Sequence, residues 1–124
     1  MKSALRTSLF LAAACLAAVA QAQSFPAKPV TLVVPVAPGG ILDTVARMIA
    51  PSMTRSLGQP VVVDNKPGAS GNIGAAAVAR SSPDGYTLLV GYSMFHVGNP
   101  SMFKELTWSP TRDFASVEIG RAHV

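Results

Sequence analysis

Two glycine-rich loops, each placed between a short apolar run and a helical pattern, most constrain what this chain can fold into. The first loop, residues 37–40, reads Ala-Pro-Gly-Gly and follows the β-branched run 30–34. The second loop, residues 68–72, reads Gly-Ala-Ser-Gly-Asn and follows the run 61–63. Continuous apolar runs of this kind are typical of strands that are covered on both faces in parallel sheets. The repeated order therefore predicts buried parallel strands that are joined by helical crossovers.

Helical periodicity follows both loops and completes the α/β prediction. From residue 42 to residue 57, apolar residues recur at the three- and four-residue spacing of an amphipathic helix. That face comprises Leu42, Val45, Ala46, Ile49, Ala50, Met53 and Leu57. We expect Pro51 to kink or divide this helix, because proline lacks the amide hydrogen that a helix interior needs. A second helix over 73–80 and a third strand over 87–91 give the order βαβαβ.

Each loop ends where a helix begins, and this placement predicts an anion-binding site. The first amides of a helix have no intrahelical partners, and the helix dipole places partial positive charge there. Two such helix starts that point into one cleft can hold an anion without a cationic side chain. Asp43, in the first helical turn, either contacts a ligand ammonium or hydroxyl group or only compensates the dipole. Ser70 adds a hydroxyl group to the second loop, where successive amides can form a nest.

Both ends of the chain carry segments that we expect to lie outside the folded domain. Residues 1–22 have the basic start, the short apolar centre and the Ala-Gln-Ala end of a cleaved signal peptide, which predicts export to the periplasm. A membrane anchor is the alternative, but the apolar segment is shorter than the roughly 18 residues that a span requires. We assign residues 23–117 to the domain and interpret residues 118–124 as an artefactual or foreign tail.

Composition argues against several classes of function. Without the predicted signal peptide, the chain has eight basic and six acidic residues. The basic residues are scattered along the sequence, so no nucleic-acid surface is predicted. Cys15, the only cysteine, lies in the leader, so we expect neither a disulfide nor a metal site. Ser93 and His96 are close in sequence, but the G-x-S-x-G motif of a nucleophilic serine is missing. We therefore predict no catalytic residue.

One alternative function comes from the glycine pattern of the second loop. Residues 68–74 carry G-x-x-G-x-x-G, which resembles the loop of some reductases that bind NADP. This alternative is a secreted or periplasmic nucleotide-dependent reductase. Against it, Lys66 and Pro67 separate the loop from the second strand, and that strand is not the first of the fold. The next strand also ends in Val90, Gly91 and Tyr92, without a charged residue to bind the ribose.

Several segments in a fixed order carry a resemblance to a known family. They are 29–35, the Pro-Gly-Gly of 38–40 with Asp43 and Ala46-Arg47, 63–74, 82–89, 99–103 and Arg112-Asp113-Phe114. Together they resemble the substrate-binding proteins of tripartite tricarboxylate transporters, the Bug or TctC family of periplasmic solute receptors. The resemblance runs from about residue 25 to residue 117, which is nearly all of the predicted domain.

The resemblance implies the first-lobe βαβαβ portion of a two-lobed type 2 periplasmic binding protein, truncated before the second lobe. Such a monomeric receptor closes on a small organic carboxylate, uses no cofactor, and delivers the ligand to membrane transporter subunits; a receptor that serves a sensor kinase is a further alternative. The implied ligand-binding residues are Ala37, Pro38, Gly39, Gly40, Asp43, Gly68, Ala69, Ser70, Gly71, Asn72, Ser93 and His96. Met94 and Phe95 are bulkier than is usual in the family, which suggests an altered or more apolar ligand.

Overall fold

The computed structural model describes residues 25–117, apart from the side chains of Met94 and His96. The predicted signal peptide, residues 1–22, and the predicted tail, residues 118–124, lie outside the described residues. None of the helices within the described range has the length and hydropathy that crossing a membrane would need.

The described residues form strands and helices in the predicted alternating order. The strands are β1 (Val30–Val34), β2 (Val61–Asn65) and β3 (Thr87–Leu89), and the helices are α1 (Ile41–Leu57), α2 (Asn72–Ala79) and α3 (Asn99–Met102). A short 3₁₀ turn, Ala69–Gly71, precedes α2, and a π-helical turn, Met94–Gly98, precedes α3. The segment that follows β3 therefore contains a helical turn.

The three strands form one parallel sheet in the order β2-β1-β3, which confirms the predicted α/β class. β1 lies in the centre, and four of its five residues are buried, as its continuous apolar sequence predicts. The prediction that β2 is fully buried is wrong, because β2 is an edge strand of the described sheet. Its second residue, Val62, is therefore half exposed.

Helix α1 runs through Pro51 without interruption, so of the two expected outcomes, a kink or a division of the helix, the division is wrong. Pro51 is exposed, and water can therefore hydrate the carbonyl that its missing amide leaves without a partner. The helix ends at Gly58, whose φ of +68° is left-handed and whose amide donates to the Thr54 carbonyl at 3.0 Å. This is the C-terminal geometry that glycine permits at little cost.

The buried side of α1 is narrower than its periodicity predicts. Ala46 and Ala50 are buried, as expected, but Val45 and Ile49 are 46% and 42% exposed. Periodicity identifies the apolar face of a helix, whereas burial depends on what packs against that face. Within residues 25–117, the sheet covers only the alanine side of the helix.

The apolar core continues beneath the second helix. Ala75 and Ala76 of α2 pack with Phe95 and Trp108, all four of them buried. Phe114 meets Trp108 edge to face, with ring centroids 5.6 Å apart. The segment that follows β3 is thus fastened to α2, and this contact positions one side of the candidate site.

Candidate functional site

The two glycine-rich loops lie next to each other, because β1 and β2 are neighbouring parallel strands. The last pair of their register joins Val34 to Asn65, and the Lys66 amide then donates to the Val34 carbonyl at 2.8 Å. Both chains leave the sheet at this carboxyl edge, where ligands of open α/β sheets commonly bind. Pro35 lies between the loops, since a Cβ built on Gly71 would be 3.3 Å from the Pro35 Cβ.

A buried carboxylate organises the first loop. The Gly39 amide donates to Asp43 Oδ2 at 2.9 Å, and Arg47 Nε lies 3.0 Å from both carboxylate oxygens. Asn65 Nδ2 donates to Asp43 Oδ1 at 2.9 Å, and only 3% of Asp43 is exposed. The carboxylate thus ties the first loop to α1 and to the end of β2, a role that neither sequence-based interpretation of Asp43 included.

The electrostatics of this network follow from its hydrogen bonds. The Arg47 hydrogen bond, then the Gly39 amide and then Asn65, lower the pKa of Asp43 from 3.8 to about 2. The hydrogen bond and charge of Asp43 in turn raise the pKa of Arg47. Asp43 is therefore an anion at neutral pH, and the positive charge of Arg47 is already paired within the protein.

Asn65 ties the end of β2 to the first loop and was not singled out by the sequence. Its Nδ2 also donates to the Val36 carbonyl at 3.1 Å, and its Oδ1 accepts from Arg47 Nη2 at 3.0 Å. The partners of Asn65 are 18 to 29 residues earlier in the chain. The only available signal was a polar residue at the end of an apolar strand, which many unrelated turns share.

The second loop has an unusual backbone. Four consecutive residues have a positive φ: +123° at Gly68, +48° at Ala69, +54° at Ser70 and +85° at Gly71. The Gly71 amide donates to the Gly68 carbonyl at 2.9 Å and closes the turn. The left-handed conformation costs a residue with a side chain about 1–2 kcal/mol. Ala69 and Ser70 therefore need contacts that stabilise this conformation.

Residues that follow β3 provide these contacts. Asn99 is fully buried, and its Nδ2 donates to the Ser70 carbonyl at 3.1 Å and to Asn72 Oδ1 at 2.9 Å. Gly71 lies against the ring of Phe95, and a Cβ at Gly71 would collide with that ring. Both contacts reach the second loop from more than twenty residues away.

The segment that contains Ser93 and His96 therefore supports the second loop from within the core. Phe95 is fully buried and packs edge to face on Tyr92, with centroids 4.8 Å apart. Packing accounts for its bulk, which gives no support for a more apolar ligand. Ser93 is exposed, and no hydrogen bond in the described part of the chain joins it to either loop. His96 lies in the π-helical turn, and its side chain is outside what the structure describes.

The helix starts behind both loops remain free of side-chain caps. Among residues 25–117, no side chain hydrogen-bonds to the N-terminal amides of α1 or α2. Residues 37–39 and 68–70 are exposed at the same edge of the sheet. Uncapped helix starts at an exposed edge suit an anionic group. Within the same described range, no cluster of three or more His, Cys, Asp or Glu side chains is arranged to hold a metal ion.

A groove of about 350 Å³ lies elsewhere, between α1 and β2. It is lined by Arg47, Ala50, Pro51, Thr54, Val61 and Val63, so neither loop contributes to it. The only charged group in its wall is the Arg47 guanidinium, which is already paired with Asp43. The loops are therefore a better anion site than this groove.

Comparison with known proteins identifies similar receptors. A family model described as "Tripartite tricarboxylate transporter family receptor" matches residues 45–122. A UPF0065 protein from the TAR-I ttuE-ttuC' intergenic region of Agrobacterium vitis is 47% identical over 116 residues, which cover 90% of this chain and 32% of that protein. The chain thus spans about a third of the length of this relative.

Solved structures agree with this result. MatC from Rhodopseudomonas palustris with bound malate superposes with a TM-score of 0.70 and 46% identity, over 73% of this chain and 31% of MatC. R. palustris Rpa4515 with adipate superposes with a TM-score of 0.67 and 41% identity, over 69% of this chain and 29% of that chain. The fold and the family resemblance inferred from the sequence are confirmed, whereas nothing in these comparisons supports the nucleotide-dependent reductase.

Proposed function

The chain belongs to the tripartite tricarboxylate transporter receptor family, and from this premise we propose that it captures a small organic carboxylate for a membrane transporter. One observation carries the proposal. Two exposed glycine-rich loops, each followed by an uncapped helix start, stand side by side on the adjacent parallel strands β1 and β2. A carboxylate placed there meets main-chain amides from both loops.

The pairing of charges favours amides over a cationic side chain as the ligand-binding groups. Arg47 is the cationic residue nearest the first loop in sequence, and its guanidinium is held by Asp43 and Asn65. We therefore assign ligand contact to residues 37–40 and 68–72. Asp43 serves the same site from behind, because it fixes the Gly39 amide. Ser93 and His96 belong to the segment beside the second loop and complete the proposed site.

The ligand class follows from the relatives and from the geometry. MatC and Rpa4515 were solved with malate and adipate, which are both small dicarboxylates. Binding requires no chemical step, so the proposed cycle is capture, closure of two lobes around the ligand, and release to the transporter. We also propose that the protein acts as a monomer, after residues 1–22 have directed its export to the periplasm.

The proposal is tested by calorimetric titration of the full-length receptor, meaning the protein that the complete reading frame encodes. Malate and adipate are titrated beside their diamides and NADPH. We expect at least one of the two acids to bind and its diamide not to bind, because a neutral amide lacks the charge that the helix starts favour. Equal binding of acid and diamide, or binding of NADPH alone, would overturn the proposal.

A matched pair of variants then locates the site. Gly40 has an ordinary φ of −75°, and an added Cβ would make only normal contacts at 3.5 Å. Gly40→Leu should therefore leave the fold intact and lower carboxylate affinity at least about tenfold, since the side chain blocks the amides. Ala77→Leu introduces the same side chain at an exposed position of α2 and should leave affinity unchanged.

A further inference from the structure

One distant side chain, Asn99, donates hydrogen bonds to the left-handed stretch of the second loop. Ser70 and Asn72 lie on either side of Gly71, where the loop turns into α2. Both offer an acceptor to Asn99 Nδ2, the Ser70 carbonyl at 3.1 Å and Asn72 Oδ1 at 2.9 Å. One amide nitrogen thereby uses its two hydrogens to hold both sides of the bend.

The orientation of the Asn99 amide is fixed by its partner. The Ser70 carbonyl can only accept a hydrogen bond, so the group that faces it has to be the nitrogen of Asn99. The opposite end of the side chain, Oδ1, is buried and has no hydrogen-bond partner among the described residues. An unsatisfied buried acceptor is unfavourable. The donor end of Asn99 must therefore contribute more than packing alone.

The position of Asn99 itself is secured by the core. It begins α3 directly after the π-helical turn in which Phe95 packs against Gly71. The Phe103 amide donates to the Asn99 carbonyl at 2.9 Å, which closes the short helix. The side chain therefore reaches the second loop from a backbone that has its own closing hydrogen bond and is joined to the core through Phe95.

The geometry points to Asn99 as a positioning residue of the carboxylate site, a role that rests on the function proposed above. Asn99 is not itself one of the residues that we propose to contact the ligand. It holds the Ser70 carbonyl and the Asn72 side chain at the bend where the second loop enters α2. Without its two donated hydrogen bonds, the second loop populates other conformations, and apparent affinity falls by the fraction of molecules that leave the competent state.

The test compares Asn99→Asp with the unaltered full-length receptor across pH. Aspartate has the shape of asparagine, but when ionised it places an anion against two acceptors. Burial and these acceptors raise the pKa of such a carboxyl, and its protonated form can donate one hydrogen bond again. With malate and adipate as probes, affinity should fall at least about tenfold relative to wild type at about pH 8. At about pH 5.5, the affinity of Asn99→Asp should return most of the way to that of wild type at the same pH.

Two further variants complete the test. Asn99→Leu has no donor, so it should lose at least about tenfold in affinity at both pH values. Ser101→Ala removes a hydrogen bond from the same short helix without touching the second loop, and it should bind like wild type. Unchanged affinity in the Asn99 variants overturns this inference. The inference is also overturned if Asn99→Asp loses the same affinity at both pH values, or if its loss of affinity comes from failure to fold. If the wild-type receptor binds neither acid nor its diamide, the proposed function fails instead.

Discussion

The two loops have similar sequences and positions, but different forces hold them in place. The first loop is fixed mainly by charges that are close in sequence, since Asp43 and Arg47 are one helical turn apart and Gly39 is four residues before Asp43. Asn65 adds a hydrogen bond to this network from the end of β2. The second loop is fixed by uncharged groups far along the chain, the ring of Phe95 and the amide of Asn99. A charged local network responds to pH, whereas a buried distant support depends on the integrity of the whole fold.

The largest effect should come from a matched pair of glycine variants. Gly71 and Gly39 have nearly the same φ, +85° and +86°, but an added Cβ collides with Phe95 at Gly71 and meets nothing within 4 Å at Gly39. Both alanine variants carry left-handed strain of about 1–2 kcal/mol. Gly71→Ala adds overpacking of about 1–3 kcal/mol. Chemical denaturation of the full-length receptor should find Gly71→Ala the less stable of the two.

A double variant shows whether Phe95 is the cause. Phe95→Leu withdraws part of the ring from Gly71, so the double variant should be more stable than the sum of the single changes predicts. Equal losses of stability in Gly71→Ala and Gly39→Ala would contradict the close packing that we describe.

An intermediate, pH-dependent effect is expected at the first loop. Because the folded-state pKa of Asp43 is lowered from 3.8 to about 2, its stabilising effect is complete above the ordinary value and is lost as pH falls through about 2. Asp43→Asn should therefore be less stable than wild type at neutral pH. The difference should shrink between about pH 4 and pH 2 in thermal melts of the full-length receptor.

Asp84→Asn is the control for this prediction. The Tyr86 amide and Lys28 lower the pKa of Asp84 as well, but Asp84 lies away from both loops. Both substitutions should change how the stability of the folded protein depends on pH in the acid range. Only Asp43→Asn should also weaken carboxylate binding. A stability difference for Asp43→Asn that is identical at about pH 7 and pH 2 would show that the Asp43 charge does not organise the first loop.

The smallest effect is expected from Ser70→Gly. Glycine removes the strain at a φ of +54° but adds flexibility to the unfolded chain, so stability should change by less than about 1 kcal/mol. Ala37→Gly is the matched change in the first loop, where no residue with a side chain has a positive φ. It should lose about 0.5–1 kcal/mol in the same denaturation experiment. A larger loss in Ser70→Gly than in Ala37→Gly would contradict the strain in the second loop.

The sequence predicted those features that are encoded locally. The apolar run of β1 indicated a central strand, and glycines before helical patterns indicated the two loops. The half exposure of Val45 and Ile49 was not predictable, because periodicity does not say what covers a face. Asn65 and Asn99 were missed for a related reason. Their partners are 18 to 29 residues away, and a single asparagine has no periodic pattern that marks it.

The central claim is that main-chain amides of both loops hold a carboxylate, and a crystal structure of the full-length receptor with malate or adipate tests it most directly. We predict ligand carboxylate oxygens at about 2.7–3.2 Å from main-chain amide nitrogens of residues 37–40 and 68–72, directly or through one ordered water. Pro38 is excepted, because its nitrogen has no hydrogen to donate. Arg47 should remain paired with Asp43. A carboxylate held by a side-chain cation, with both loops turned away from it, would contradict the account.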